Sequence, residues 1–488
     1  MDKLKISQNK RYFVKEDGTP FTWLADTDWT MPQRLKWDDA LYLMQTRKEQ
    51  GFTVLQIVAL DPEEDLEMRN PVGEPALVAH NLNTPNEKYF EYLDWLLDEA
   101  EKLDLYILLL PVWGQLVVGD DWGGNTYEKI VNVENAYTYG QWIGNRYKER
   151  KNIIWCLGGD RMPIHRGIDY KDVWRKMAEG LAKGVTGKDL KYNQPDETWE
   201  QLTITYHACH EAETGECSTM SYWTDEEAWL SFIMLQSGHG ITPKNYELVS
   251  KEYHREVTMP VWDGEPAYEM MPITWPITYD TPVHGSWMVR KRAYWALLAG
   301  AFGHTYGHAS VWSSIAEKGR SAFFRYSWYE ALQSEGSAQM KWLRAFMDDM
   351  QPQLGRPCQE ILPANNEDSI IDNHLQANVN DANGSICVYF PSGGNTEIDI
   401  QKIWQQNEVW LWWYRPSNGK FYINSETTTD TAKCCQLEAG KLFVSAPSDG
   451  AEEDWMLIIK NDNSEPPIEL KTYYEMEKAV KVKKVFEW

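Results

Sequence analysis

The chain has 488 residues, enough for two domains, and its 25% charged and 43% hydrophobic residues are typical of a folded protein. The formal net charge of −25 argues against nucleic acid and anionic membranes as partners, because both would be repelled. The sequence also lacks any run of about 18 apolar residues that would span a bilayer.

Two further features bear on the compartment and the ligand. Seven cysteines at irregular spacing predict buried free thiols rather than a disulfide framework. The segment from Met1 to Ile6 lacks the apolar stretch of a secretory signal. We therefore expect a cytoplasmic protein if Met1 is the native start, and a periplasmic or extracellular one if a signal was removed. The 25 tryptophans and 26 tyrosines weakly favour binding to sugar rings.

Short apolar segments alternate with amphipathic ones over the first 350 residues. Eight of them are predicted as strands: Phe21–Asp26, Thr53–Leu60, Tyr106–Trp113, Asn152–Asp160, Leu202–Cys209, Leu230–His239, Met259–Pro266 and Ala301–His308. Helical periodicity lies between them, at Trp37–Gln50, Asn86–Asp104, Val289–Gly300 and Gln339–Met350. This alternation predicts a (β/α)8 TIM barrel over residues 1–351, with a doubly wound sheet as the alternative.

The pattern changes after residue 351, where two prolines and a glycine end the last helix. Five short β-rich runs follow: Ser385–Phe390, Glu397–Ile400, Val409–Tyr414, Lys441–Ser445 and Trp455–Lys460. They predict a small all-β sandwich domain over residues 352–488, which ends in a lysine-rich tail. On the third run, Trp410, Trp412 and Tyr414 share one face. They form either an exposed sugar-binding row or, as we favour, part of the core and domain interface.

Two carboxyl groups follow predicted strands four and seven. Chemistry in a TIM barrel collects at the C-terminal ends of the strands, and Asp160 and Glu265 stand at two such ends. Gly158, Gly159 and Gly264 precede them and allow sharp turns. Hydrolysis of a glycosidic bond needs two carboxyl groups, one to protonate the leaving oxygen and one to attack carbon or activate water. The pair therefore predicts a glycoside hydrolase.

Further residues at the strand ends are candidates for substrate binding. They are Asp26, Asp28, Trp113, Trp155, Arg161, His207, His239, Tyr306 and His308. Several have an alternative role: the aspartates as helix caps, the tryptophans as core, and His207 and His239 as groups that orient the nucleophile. Pairing with Arg161 would lower the pKa of Asp160, whereas burial and the charge of Glu265 would raise it.

Four motifs resemble the apiosidase-like glycoside hydrolases over roughly residues 8–350. They are Phe21–Trp29, Asn152–Trp155 with Gly158–Arg161, Gln236–His239 and Asp263–Pro266. The resemblance implies a retaining mechanism on a (β/α)8 barrel, with Asp160 as acid/base and Glu265 as nucleophile. It also implies a plant-type oligosaccharide substrate, such as a pectic side chain that contains apiose. The C-terminal module is similar to the small β-domain that usually follows in this family.

Two other functions remain alternatives. A metal-dependent hydrolase would carry an HxH pair after strand one, where this chain has Asp26 and Asp28, and the sequence predicts neither a metal nor a cofactor. A barrel that binds sugar without turnover is the second alternative. The loops Asp61–Asn83 and Asp120–Asn125 predict a pocket rather than an open groove.

Overall fold

The computed structural model describes residues 1–63, 65–121, 123–241, 244–363, 373–463 and 468. Eight parallel strands form its first sheet, in the order β6-β7-β8-β1-β2-β3-β4-β5. Their bounds are β1 Trp23–Thr27, β2 Val54–Val58, β3 Tyr106–Leu110, β4 Ile153–Gly158, β5 Ile204–His207, β6 Ile233–Leu235, β7 Val261–Asp263 and β8 Gly303–Tyr306. All eight are buried along their whole length, as expected of strands covered on both faces. The predicted TIM-like barrel is confirmed.

The barrel is nearly closed between β5 and β6. The Ser231 N–H donates to Ile204 O at 2.8 Å, and the Thr205 hydroxyl donates to Phe232 O at 2.7 Å. The Thr219 hydroxyl lies 2.7 Å from Tyr206 O and accepts the Met234 N–H at 3.0 Å. These hydrogen bonds join the two edge strands, so that all eight strand ends point toward one mouth.

Ten α-helices accompany the barrel among the described residues. They are α1 Met31–Arg34, α2 Trp37–Glu49, α3 Glu87–Lys102, α4 Gln115–Val118, α5 Val133–Tyr147, α6 Lys171–Thr186, α7 Asn245–Tyr253, α8 Ser286–Leu298, α9 Trp328–Ala331 and α10 Glu335–Met350. None of the described helices is long and apolar enough to cross a membrane. Helix α8 is buried on nearly all sides, because the barrel covers one face and the C-terminal domain the other.

The C-terminal domain is built from antiparallel strands. Those described are β9 Arg356–Pro357, β10 Gln376–Asn380, β11 Ser385–Phe390, β12 Asn395–Asp399, β13 Glu408–Arg415, β14 Lys420–Tyr422, β15 Lys433–Gln436, β16 Lys441–Ser445 and β17 Trp455–Lys460. Strands β12 and β16 pair with each other and share a core with the larger sheet, which forms a second layer. The predicted β-domain is confirmed, although β9, β10, β14 and β15 were not predicted. Its division from the barrel at residue 351 stays a prediction, and the lysine-rich tail lies outside the described residues.

The larger sheet of the β-domain packs directly on the barrel. Trp412 and Tyr414 belong to the core cluster of the barrel, whereas Trp413 belongs to the core of the sandwich. A buried ion pair reinforces the contact, with Arg290 donating to both carboxylate oxygens of Asp454 at 2.8 and 3.0 Å. The interpretation of the aromatic row as domain interface is confirmed.

All seven cysteines are free. Five are buried, as predicted, but Cys434 is exposed and Cys435 half-buried on β15.

Candidate active site

The two predicted carboxylates follow β4 and β7 on glycine-rich turns. The chain leaves β4 through three residues with left-handed backbone, Gly158, Gly159 and Asp160, at φ of 86°, 107° and 52°. A Cβ atom at Gly159 would lie 2.8 Å from the Trp113 ring, so only glycine fits there. Left-handed backbone at a residue other than glycine is uncommon and is concentrated at functional sites. The left-handed backbone of Asp160 is therefore consistent with a functional residue at this turn.

Two histidines hold the Glu265 carboxylate. Oε2 lies 2.7 Å from His207 Nε2, and Oε1 lies 3.1 Å from His239 Nε2. Burial favours the neutral acid, but the hydrogen bonds from the two histidines outweigh it and hold the pKa of Glu265 well below its ordinary value. Glu265 is thus ionised and oriented, as a nucleophile must be.

His207 connects the two carboxyl-bearing turns. Its Nδ1 accepts the Asp160 backbone N–H at 3.0 Å, so this nitrogen carries no proton and Nε2 donates to Glu265. The rings of Trp29 and Trp113 pack against the imidazole, with centroids 5.3 and 5.7 Å away. The ring orientation is therefore fixed by packing as well as by hydrogen bonds.

Asp160 has the opposite electrostatic character. Burial and then the charge of Glu265 raise the pKa of Asp160, and they outweigh the charge of Arg161 and the hydrogen bond from Gln236. Gln236 Nε2 donates to Asp160 Oδ1 at 2.8 Å, and Arg161 Nη1 lies 3.7 Å from Oδ2. The pKa values of Asp160 and Glu265 are thus shifted in opposite directions, as in the carboxyl pairs that cleave glycosides by acid catalysis.

Six of the eleven predicted site residues surround this one location. They are Asp160, Glu265, Arg161, His207, His239 and Trp113.

Asp26 and Asp28 lie elsewhere, although the first is near the end of β1 and the second directly follows this strand. Asp26 points to the helix side of β1, where it forms a buried ion pair with Arg47 of α2 at 2.5 Å. Asp28 is fully buried beside it. Burial and the charge of Asp26 raise the pKa of Asp28 well above its ordinary value. Because side chains alternate between the two faces of a strand, these carboxyls are not available to a sugar.

Tyr306, His308 and Trp155 are also withdrawn from the site. The Tyr306 hydroxyl donates to Glu269 Oε2 at 2.6 Å, and the His308 Nδ1 accepts the Ser310 N–H at 3.0 Å; both side chains are buried. Trp155 lines a small recess with Tyr147 and Val185 of the helical layer. The predicted contacts of these three residues with sugar are therefore corrected.

Three residues of the site were not predicted as functional. Gln236 holds Asp160, Trp29 packs on His207, and the Tyr268 ring lies 4.5 Å from the His239 ring. Gln236 and Trp29 lie inside motifs that carry the family resemblance, so the signal was present in the sequence. Among the described residues, no group of three or more histidine, cysteine, aspartate or glutamate side chains is arranged to hold a metal ion.

Comparison with known proteins gives the class and then the family. A glycoside hydrolase family 5 structure from Bacteroides vulgatus is 27% identical, with a TM-score of 0.77 and 95% of this chain and 93% of that chain covered. A second solved glycoside hydrolase is also 27% identical, with a TM-score of 0.74 and coverage of 95% and 98%. No curated protein matches the chain. The barrel, its paired carboxyl groups and these neighbours define a glycoside hydrolase.

The family follows from a model described as "Apiosidase-like, catalytic domain", which matches residues 7–353. The chain belongs to this apiosidase-like family. A second model, "Putative collagen-binding domain of a collagenase", matches residues 357–460 and covers the β-domain.

Proposed function

We propose that the protein hydrolyses a glycosidic bond with retention of configuration, with Glu265 as nucleophile and Asp160 as general acid/base. In the first step the Glu265 carboxylate attacks the anomeric carbon while Asp160 donates its proton to the leaving oxygen. In the second step Asp160 accepts a proton from water, and this water releases the sugar from Glu265.

The opposite pKa shifts of the two carboxyl groups support this division of roles. The pKa of Glu265 is held low by two histidine hydrogen bonds, and that of Asp160 is raised by burial and by the charge of Glu265. Glu265 therefore ionises more readily than an ordinary carboxyl group, and Asp160 holds a proton more readily. Exchanging the roles would require a proton on the carboxylate that His207 and His239 stabilise.

The His207 bridge is the observation that carries the retaining mechanism. A single imidazole ring reaches from the Asp160 backbone N–H to the Glu265 carboxylate, through hydrogen bonds of 3.0 and 2.7 Å. Such a bridge brings the two turns close together. Retaining enzymes need a short carboxyl separation of about 5–5.5 Å, whereas inverting enzymes leave room for a water between the groups, at about 6.5–9.5 Å.

The substrate we propose is a plant-type oligosaccharide with a terminal apiose, such as a pectic side chain. The motifs shared with the apiosidase-like family and the match over residues 7–353 support this choice.

A panel of 4-nitrophenyl glycosides that includes the apioside tests the proposal, with NMR to identify the first anomer released. We expect hydrolysis with retention. Asp160→Ala should lose activity, and with activated 4-nitrophenyl substrates azide should restore turnover and give a glycosyl azide, because it attacks the covalent intermediate without a general base.

Asp28→Asn is the matched control for Glu265→Gln, because both variants replace a buried carboxyl group by an amide and only Glu265 lies in the site. Release of the opposite anomer would overturn the retaining mechanism. Full activity of Glu265→Gln would overturn the assignment of the nucleophile.

A further inference from the structure

Exposed aromatic side chains are concentrated on two loops at the mouth of the barrel. Among the described residues, four tryptophan or tyrosine side chains are well exposed: Trp37 at 40%, Trp275 at 58%, Tyr279 at 65% and Tyr326 at 39%. Trp37 packs on Tyr92 and Trp95 at the outer helical layer. The other three lie on the loops that follow β7 and β8.

The first of these loops is a hairpin that rises from the active site. Its base is held at His239, because the Tyr268 ring packs on the His239 ring and His284 Nε2 donates to His239 O at 2.6 Å. Backbone hydrogen bonds join its two arms, from Met270 N–H to His284 O and from His284 N–H to Met271 O. Residues 274–281 form the tip and carry Trp275 and Tyr279. The hairpin thus leads from the partner of Glu265 to solvent.

The second loop supports the first. Arg325 Nη2 donates to Thr281 O at 2.7 Å, and the Tyr279 hydroxyl donates to Gly319 O at 3.4 Å. Tyr326 follows Arg325 directly, with its ring centroid 6.3 Å from that of His308. The three exposed rings therefore belong to two loops that are hydrogen-bonded to each other at the mouth.

We propose that Trp275, Tyr279 and Tyr326 form an aromatic rim that binds the saccharide on the leaving-group side of the scissile bond. The inference rests on the proposed function and extends it to the length of the substrate. Aromatic side chains have an apolar ring face, and sugar rings have C–H faces that pack on it without any need for charge. The side chains of Asp160 and Glu265 are only 17% and 8% exposed, so we expect the part of an oligosaccharide beyond the scissile bond to extend toward the exposed rim.

Continuity with the active site favours a sugar over another protein as the occupant. The hairpin that carries Trp275 and Tyr279 is connected to Glu265 through Tyr268 and His239, so the rim belongs to the same end of the barrel as the two carboxyl groups. A second copy of the chain would instead block the entrance.

The experiment compares a short and a long substrate. Trp275→Ala and Tyr279→Ala, alone and combined, are assayed on 4-nitrophenyl apioside and on apiose-containing pectic oligosaccharides. We expect KM for the oligosaccharide to rise about tenfold for each aromatic ring removed, with kcat nearly unchanged. KM for 4-nitrophenyl apioside, which has no further sugar, should change less than twofold. Trp37→Ala is the control for loss of an exposed tryptophan outside the rim.

Binding to the Glu265→Gln variant separates the rim from catalysis. Titration of that variant with the same oligosaccharides, followed by calorimetry, should show the same tenfold loss when Trp275 is also replaced. Equal affinity with and without Trp275 would overturn the rim even if hydrolysis is confirmed. Failure of the wild type to hydrolyse either substrate would count against the proposed function instead. Self-association that Trp275→Ala abolishes would also overturn the proposal, since a second copy would then be the occupant.

Discussion

Two pairs of buried carboxyl groups lie in this barrel, and they serve different ends. Asp160 and Glu265 face the mouth, with side chains 17% and 8% exposed, and their partners are mainly histidines and an amide. Asp26 and Asp28 are completely enclosed on the helix side of β1, where Arg47 balances their charge. The first pair keeps one open side for a ligand, and the second has none.

A carboxyl group at a strand end can therefore act on a ligand only if it lies on the face that opens to the mouth and its partners leave one side free. Asp26 is paired with the buried Arg47 guanidinium, which keeps its proton in proteins, although burial still raises the pKa of Asp26. Asp160 and Glu265 are instead oriented mainly by the Gln236 amide and by two histidines, with Arg161 farther away at 3.7 Å from Asp160. Four carboxyl groups thus separate into a pair that we propose to be catalytic and a pair enclosed in the structure.

The largest expected effect is on turnover at the mouth. Glu265→Gln removes the nucleophile but keeps the shape of the side chain, so we expect kcat to fall on the order of 10⁴-fold. The free energy of unfolding should decrease by only about 1 kcal/mol, because the low pKa of Glu265 means that its carboxylate stabilises the folded state, while glutamine keeps the shape and a hydrogen-bonding oxygen. Steady-state kinetics and urea denaturation check both statements. A large loss of stability would place Glu265 in the structural class.

At the enclosed pair we expect the opposite result, a loss of stability with little change in kcat. Asp26→Asn leaves the Arg47 guanidinium buried without its counter-charge, and we expect the free energy of unfolding to fall by about 3 kcal/mol. Urea denaturation measures this loss, while kcat of the folded protein should stay within about twofold of wild type. If kcat collapsed instead with stability unchanged, Asp26 would act on the site and the comparison would fail.

A third prediction concerns the acid limb of the pH–rate profile. The rate is lost as pH falls through the pKa of Glu265, which the hydrogen bonds from His207 and His239 hold low. His239→Ala removes one donor, so the pKa of Glu265 should rise and the acid limb of kcat/KM should move to higher pH. At the optimum we expect a loss of roughly 30-fold. His239→Gln, which keeps a donor, should show a smaller displacement; equal displacement would argue against the hydrogen bond as its cause.

The alkaline limb gives the fourth prediction. Asp160 must be protonated to act as the acid, so the rate falls as pH rises through its pKa. Gln236→Met keeps the side-chain length but removes the hydrogen bond that lowers the pKa of Asp160. The alkaline limb should therefore move to higher pH, with kcat about tenfold lower because Asp160 is less well oriented. An alkaline limb that stays in place would show that Gln236 only positions the carboxyl group.

Much of the fold was predictable, because strands buried on both faces are continuous apolar runs. The first and last residues of each strand were less predictable. Predicted strand six extended from Leu230 to His239, yet β6 covers only Ile233–Leu235, since Ser237 turns to bind Asp263 and Gly238 has left-handed backbone. Such tertiary contacts leave no periodic signal in the sequence.

Strand β10 was missed for a different reason. Its sequence, Gln376–Asn380, is mostly polar and resembles a loop. The amides of Asn378 and Asn380 are nevertheless buried at the domain interface, where they donate to backbone carbonyls including Pro352 O and Met350 O. Polar side chains satisfied by another element cannot be distinguished from exposed ones in the sequence alone.

The proximity of Asp160 and Glu265 was predictable, because hydrolysis of a glycosidic bond needs two carboxyl groups and both of these follow glycines at strand ends; their catalytic roles stay a prediction. The face of a strand on which a side chain lies could not be predicted. In a barrel both faces of a strand are buried, so hydropathy does not alternate and gives no indication of direction. Asp26 and Trp155 were assigned to the mouth for this reason, although both point to the helices.

The weakest change that we expect is in the stability of Asp28→Asn, at the enclosed pair. Burial and the charge of Asp26 raise the pKa of Asp28, so between the ordinary pKa and the raised value the folded state binds more protons than the unfolded state. Stability must then decrease as pH rises across that interval. Asp28→Asn does not titrate, so at pH 7 its free energy of unfolding should exceed that of wild type by about 1 kcal/mol. The gain should disappear below about pH 4, where Asp28 is protonated in the unfolded state as well. Urea denaturation at both pH values measures this difference in the free energy of unfolding. An equal gain at both pH values would mean that the pKa of Asp28 is the same in the folded and the unfolded protein.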